Sequence, residues 1–598
     1  FTISHVTTPT RQVGAASETS IWTYDSLGNI IDSASDVSTD AITEGGLTGV
    51  KSVNSAVDTP AYTDEAVVSF TTAGGVPVGG SIRVSLPEVV SSQAGWVVSS
   101  GTSSVEFGSP SSSAPLVNGA DVNVTSGGRV VEFAISENEL GQGVEVVFTI
   151  SHVTTPTRQV GAASETSIWT YDSLGNIIDS ASDVSTDAIT VGDLTGVLRF
   201  DMHTDLVHFT GLAKVSFTTA GQIPVGGHIR VVLPHIFGAH RGWSVVHPNI
   251  TFVLPSEGPP LAGLLSEHGG RNFTFEVASS AIAQQTAVVF VLTNVTTPTR
   301  RVGQLNGTTL MVMDSKDNLI GVSYEMRTDD TFAGSLVNVD GFDAAVDTPS
   351  FRHSARVSFM VGGHVPVDGH IRVVLPKVLG VQDGWRIDAL PAIVFSRPSV
   401  RVPVVNGSAT EVADGNRSVT FAIMEHDIPQ GSIVEFTISN VTTPTRASAG
   451  GYNTTVTTLS KHLQVIDGPS MIDTAAVTTG KLVGAKTFNT TVDTPAYTGT
   501  SEVRFTTAGS VPIGGRIEVE LPSLTGLQAG WQVGASASVV FSEPAEDTPV
   551  VTEAVWLEAG GRRVGFKIAG NEIQQRTDVT FTISHVTTPT RQVGAASE

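Results

Sequence analysis

The chain of 598 residues contains no cysteine. That absence excludes disulfides, thiolate metal sites and cysteine nucleophiles, so stability has to come from packed cores alone. Positive charge is scarce as well: 33 Lys and Arg stand against 57 Asp and Glu, a formal net charge of −24. No basic stretch exceeds an adjacent pair such as Arg300-Arg301, and nucleic acid, whose phosphates demand clustered cations, is excluded as a partner. Long apolar runs are missing too. The longest obvious one, residues 287–292, has the length of a buried strand and falls far short of the roughly 20 residues that cross a bilayer as a helix. Phe1 is preceded by no Met and followed by no leader-like segment, so the sequence reads as a piece of a longer chain whose signal peptide, if any, lies outside it.

What the sequence has is Val, Thr, Ser and 61 Gly, a composition of strands and turns. Its size implies three to six domains, because single cores stop growing well below this length. Self-similarity settles their arrangement. The segment "FTISHVTTPTRQVGAASE" starts at Phe1, Phe148 and Phe581, with variants starting at Phe290 and Phe436. A second block, "FTTAGGVPVGGSIRVSLP" from Phe70, recurs from Phe217, Phe359 and Phe505, each copy followed by a Gly-Trp pair at Trp96, Trp243, Trp385 or Trp531. Residues 1–43 and 148–190 are identical. The period divides the chain into 1–43, the C-terminal part of one repeat; 44–190, 191–333 and 334–479, three whole repeats; and 480–598, the N-terminal part of another, to be completed by the next copy or by another chain.

Within a period the alternation is that of half-buried strands. Ile82, Val84 and Leu86 share one face; so do Val131, Phe133 and Ile135, and Val144, Val146, Phe148 and Ile150. Gly-rich turns punctuate them, Asp25 to Asn29 reads as a hairpin loop, and the "VPVGG" segment ending at Gly80 reads as a hairpin turn. Eight or nine strands with one wet face each, and no helix, pack best as a two-layer β-sandwich, with a closed barrel as the competing architecture. The Gly-Trp tryptophans are expected in the core, and Met311 replaces Trp22 and Trp169 at the matching place.

Ten Asn-x-Ser/Thr acceptors stand at Asn123, Asn249, Asn272, Asn294, Asn306, Asn406, Asn416, Asn440, Asn453 and Asn489, against only eight other Asn. Asn294 and Asn440 share one repeat position, where other copies carry His5, His152 and His585. A glycan there would need the strand parity to break, and Val153, apolar where a wet residue belongs, implies a bulge or strand exit at that point. Thr-Thr-Pro-Thr beyond it suggests an edge or exit and could carry O-linked sugars. His228, His235, His240 and His247 lack metal-ligand spacing and are expected to be surface variation. Asp58, Asp347 and Asp493, each before Thr-Pro, are read as turn openers rather than calcium ligands; the 191–333 copy shows no such triplet. No catalytic set recurs from copy to copy, so no enzyme, cofactor or metal is expected.

The blocks "FTTAG-x-VPVGG-x-IRV-x-LP", Gly-Trp and "FTIS-x-VTTPTR" resemble the tandem Ig-like β-sandwich repeats, about 145 residues each, of very large microbial and algal surface and filament proteins. The resemblance implies an all-β array in an extracellular or cell-surface fibre, coated with glycan and made of copies of itself. The "FTISHVTTPT" segment near both ends is expected to serve as an edge strand for donor-strand pairing. The competing function is the stalk of a surface adhesin.

Overall fold

The computed structural model describes all residues except 90–94, 238–241, 258–259, 261, 378–383, 525–528 and 595–598. It shows three eleven-stranded units in tandem, a fourth unit split into two sheets, and a lone N-terminal hairpin. The hairpin consists of β1 (Ala16–Tyr24) and β2 (Ile30–Thr39). Unit one follows with β3 (Gly45–Gly46), β4 (Thr48–Ser55), β5 (Thr63–Thr71), β6 (Ser81–Ser85), β7 (Val97–Val98), β8 (Val105–Ser109), β9 (Asn123–Thr125), β10 (Val130–Ala134), β11 (Glu145–Thr154), β12 (Ala163–Tyr171) and β13 (Ile177–Thr186). Unit two repeats this order between Gly192 and Thr328; unit three does so between Val337 and Thr474, except that it has no strand at the place of β3 and adds Val404–Val405 beside Ser418–Met424.

One layer runs β4-β5-β11, with β7 and β8 on the far side of β11; the other runs β13-β12-β6-β10-β9. The layers join where β4 pairs in parallel with β13. This is an Ig-like sandwich: β4, β5, β11 and β8 hold the places of strands A, B, E and D, while β6, β12 and β13 hold those of C, F and G. The β9–β10 pair widens the C edge. Eleven strands exceed the expected eight or nine because two-residue pairings such as β3 and β7 leave no periodic trace in a sequence.

The alternating residues meet between the layers. Phe148 of β11 lies 5.1 Å from Phe133 of β10, edge to face, and both are buried. Trp96, Trp243 and Trp385 are buried as expected, the last two against Phe200 and Phe342. Trp169 instead lies half-buried on the outer face beneath the Arg83 guanidinium. "VPVGG" is a tight turn, with Gly80 N–H donating to the Pro77 carbonyl, but it carries the chain from β5 to β6, in opposite layers, and so makes no hairpin.

The β12–β13 hairpin locks the sandwich. Asp179 on β13 is fully buried and accepts from the backbone N–H groups of Ala73 and Gly74 at 3.1 and 3.0 Å. Asp467 does the same for Gly363 at 2.8 Å in unit three. Burial raises both carboxyls above the ordinary range despite those bonds.

The fourth unit lacks this hairpin. One of its sheets holds Val483–Thr490, Thr498–Thr506, Asp578–Thr587, Gln532–Val533 and Val539–Glu543; the other holds Arg516–Glu520, Arg563–Ala569, Val550–Val551 and Trp556–Glu558; among the described residues no strand pair joins them, though they share one core. Its "FTISHVTTPT" strand, Asp578–Thr587, is already paired on both sides. In each whole unit the equivalent strand is likewise internal, so the copy at 578–587 offers no free edge for donor-strand pairing, while the copy at residues 1–10 forms no strand. The period-two pattern marks such a strand as half-buried but does not say how many neighbours it has.

Candidate functional site

The features shared by all units converge on the joints between them. Thr155, the second residue of Thr-Thr-Pro-Thr and the first past β11, is buried; its Oγ1 donates to the Thr59 carbonyl at 2.5 Å and accepts the Tyr62 N–H at 3.0 Å. Pro156, which has no N–H to give, offers its carbonyl to the N–H of Ala61 at 3.0 Å. Thr297, Thr443 and Thr588 make the same pair of bonds in the later units. The Thr hydroxyl closest to Pro is therefore committed inside the fold, and at that residue the expectation of O-linked sugar fails because the acceptor is buried.

This buckle presents one backbone segment to the next unit. The Thr63 N–H donates to Gln284 Oε1 at 2.7 Å, and Gln284 Nε2 donates to the Thr63 carbonyl at 2.7 Å. Gln430 clasps Thr210 at 2.7 and 2.8 Å, and Gln575 clasps Arg352 at 2.5 and 2.8 Å. Beside each clasp a backbone bond crosses the joint: Gln222 N–H to the Ala61 carbonyl, His364 N–H to His208, Ser510 N–H to Ser350, at 2.8 to 3.0 Å. Glycine makes this approach possible. A Cβ on Gly221 would lie 2.0 Å from the Pro60 carbonyl oxygen, and one on Gly509 equally close to that of Pro349. Joint two adds the His208 ring, edge-on to His364 at 4.6 Å.

These glutamines were missed in the sequence, although the signal is there: Gln142, Gln284, Gln430 and Gln575 each stand six residues before the Phe of a "FTIS"-type strand. Asp205 was missed as well. It occupies the place of Asp58 and Asp347, since its carbonyl accepts from the chain that closes the unit, here Phe332 N–H; Leu206-Val207 in place of Thr-Pro hid it. Asp58 accepts from Ser55 Oγ, as expected of a turn opener, and Asp493 from Thr490. Among the described residues no His, Asp and Glu gather as a metal site. His228 bonds Asp317 and His235 meets Phe237 edge to face; His240 lies outside the described residues.

Asp205 carries a pH dependence. Burial first, then the charges of Asp329 and Asp201, push its carboxyl up to about 6 against the pull of Arg199. A folded carboxyl that holds its proton more tightly than the unfolded one favours folding below the ordinary carboxylate range and loses that contribution as pH rises through about 6. The melting transition of unit two is therefore expected to rise between about pH 7.5 and about pH 5 in scanning calorimetry. Asp205→Asn should raise it at the upper pH and flatten the trend; an unchanged trend in that variant would assign the effect elsewhere.

Of the ten Asn acceptors, Asn123, Asn249, Asn294, Asn306, Asn416, Asn453 and Asn489 are exposed, and Asn272, Asn406 and Asn440 are half-buried. The parity break expected near His152 is a bulge: β11 shifts register against β5 between Ile150 and Val153, and His152 has φ 54°. Asn294 and Asn440 take the same left-handed turn at φ 57° and 59°. Their side chains thus leave the inward row, and Val153 returns to the core.

No protein-family model and no curated protein sequence matches the chain. Among solved structures it is similar to FdeC, an adhesin of Escherichia coli, at 10% identity and TM-score 0.17, over 74% of this chain and 100% of that one. It is also similar to a type II cohesin dyad from the adaptor ScaA scaffoldin of Acetivibrio cellulolyticus, at 8% identity and TM-score 0.14, over 48% and 98%. A third likeness, at 9% identity and TM-score 0.15 over 72% and 91%, is to a protein of Corynebacterium diphtheriae described as membrane anchored. Scores this low carry no argument about what the chain does, and its function has to be read from the joints.

Proposed function

We propose that this chain is a non-catalytic structural length of an extracellular or cell-surface filament, sheathed in N-linked glycan. The observation that carries this reading is the repetition of one joint. Three successive boundaries use the same glutamine clasp and the same crossing N–H to carbonyl bond, so each unit sets the orientation of the next and length grows with copy number. Exposed acceptors on all four units, and the outward bulge at Asn294 and Asn440, support the sheath.

Electron microscopy of native material before and after enzymatic removal of N-linked glycan tests both halves. The expected images are straight rods that become thinner on deglycosylation, with a mass loss that maps to the exposed Asn acceptors. Freely bending strings would overturn the rod, and unchanged width and mass would overturn the sheath.

A further inference from the structure

The outer face of the widened layer is covered in unit one and grooved in unit two. In unit one the Arg83 guanidinium lies 5.7 Å from the centre of the Trp169 ring. The register that sets Trp169 opposite Arg83 sets Met311 opposite Arg230 in unit two, and an unbranched thioether covers less than an indole. A groove of about 530 Å³ lies there, lined by Arg230, Met311, Leu265, His228 and Asp317, within the range of about 300–1,000 Å³ that ligand sites occupy. Arg230 and Met311 face outward because Ile229, Val231, Leu310 and Val312 between and beside them are in the core. Leu265 is the extra residue of a bulge in Ala262–His268, whose register against Asn272–Val277 shifts between Leu264 and Ser266, and it stays 49% exposed.

The acceptor Asn272-Phe273-Thr274 lines the same groove. Arg230 Nε donates to Asn272 Oδ1 at 2.9 Å. A guanidinium only donates, so this bond settles which end of the amide is oxygen and turns Nδ2, the nitrogen that an N-linked sugar bonds, away from Arg230. The other whole units do not combine these features. Val130 and Ser418 stand at the place of Asn272, and Arg372 of unit three spends its Nε on Thr420 instead.

We propose that the glycan carried by Asn272 folds back into this groove and packs there as a ligand of unit two, unlike the free branches of the sheath. This rests on the glycan-bearing filament reading and gives one sugar chain of the sheath a fixed place. Attachment joins Nδ2 to C1 of the first sugar of a lipid pyrophosphate-linked oligosaccharide; the bond from C1 to the pyrophosphate oxygen breaks, and the Nδ2 proton leaves with the pyrophosphate. The amide keeps Oδ1, and with it the Arg230 bond. Two strand spacings, about 10 Å, separate the Asn272 strand from that of Met311, so the first sugars cross over Arg230. Their hydroxyls meet the Nη groups of Arg230 and the His228–Asp317 pair, whose Nδ1 and Oδ1 lie 2.7 Å apart, and their C–H faces cover Leu265 and Met311.

An amidase that cleaves between Asn and sugar, leaving Asp, tests this on the folded native chain, with peptide mass spectrometry reading each site. Asn272 is expected to be cleaved at least about tenfold more slowly than the exposed Asn249 and Asn306 of the same unit, the protection that one or two hydrogen bonds supply. After unfolding, the three sites should react alike. Met311→Trp puts into the groove the residue that unit one carries at this place, and in the full chain it should bring Asn272 to the rate of its neighbours with its occupancy unchanged. Leu265→Ser, at an exposed position that leaves the core intact, should weaken the protection in the same direction.

Sugar on Asn249 and Asn306 but none on Asn272, equal cleavage of the three sites in the folded chain, or protection that survives both variants would each overturn the proposal and leave the sheath standing. Absence of sugar from every acceptor would sink the sheath itself, and this proposal with it.

Discussion

Phe436→Ala is expected to lower the melting transition of unit three by roughly 10 °C and to leave the other units where they are. Phe436 is fully buried on the central strand of its layer, with rings on three sides: Phe421 at 5.2 Å, Phe395 at 5.2 Å and Phe359 at 6.2 Å. Removing the ring takes away its transfer energy and leaves a void between two sheets whose backbones are tied by ladder bonds, so the site collapses little. The loss is about 3–5 kcal/mol. Each unit has its own buried cluster, with that of unit three running from Leu336 to Val477. Scanning calorimetry should therefore show one transition separating to lower temperature, and hydrogen exchange should show loss of protection confined to strands between Val337 and Thr474. Uniform softening of the whole chain would mean that the units share one cooperative core, contrary to the contacts seen.

That independence was legible in the sequence, and the reason is local. Period-two alternation in stretches such as Ile82-Val84-Leu86 needs only one buried face to be visible, and every one of those three residues is buried. The bulge at His152 was legible for the same reason, because Val153 violated the alternation. What failed were readings that depend on a residue's distant partner. The Thr-Thr-Pro-Thr segment looks like a polar exit until Thr59 and Tyr62, more than ninety residues away, are seen to accept and donate at Thr155. The strand from Phe148 looks like an edge until β5 and β8 are placed on either side of it. Gln284 is one polar residue among many until it is found doubly bonded to the backbone of Thr63, 221 positions earlier. Alternation reports burial, and only constancy of position across copies could have reported these partners.

Gly221→Val is the change expected to affect the rod most while sparing its units. The Pro60 carbonyl that a Cβ would meet at 2.0 Å is backbone, flanked by the turn that Thr155 and Pro156 hold, so it cannot swing away as a side-chain tip would. The units must separate instead. Separation gives up the crossing bond from Gln222 to Ala61 and both bonds of the Gln284 clasp, each worth about 1 kcal/mol. A total of about 3 kcal/mol shifts the balance toward the open joint about a hundredfold. Because the cores on either side are untouched, calorimetry should show both units melting nearly as before. Small-angle scattering should show the particle bending at one point, and limited proteolysis should newly cut between Thr186 and Gly192. Gln284→Ala, which removes two of the three bonds without the clash, should give a smaller opening of the same joint. If Gly221→Val melts unit two but leaves the joint closed, the glycine serves the fold of its own unit, where Ile320 also lies within 2.9 Å of the added carbon. Stiffness would then have to come from contacts other than the repeated clasp.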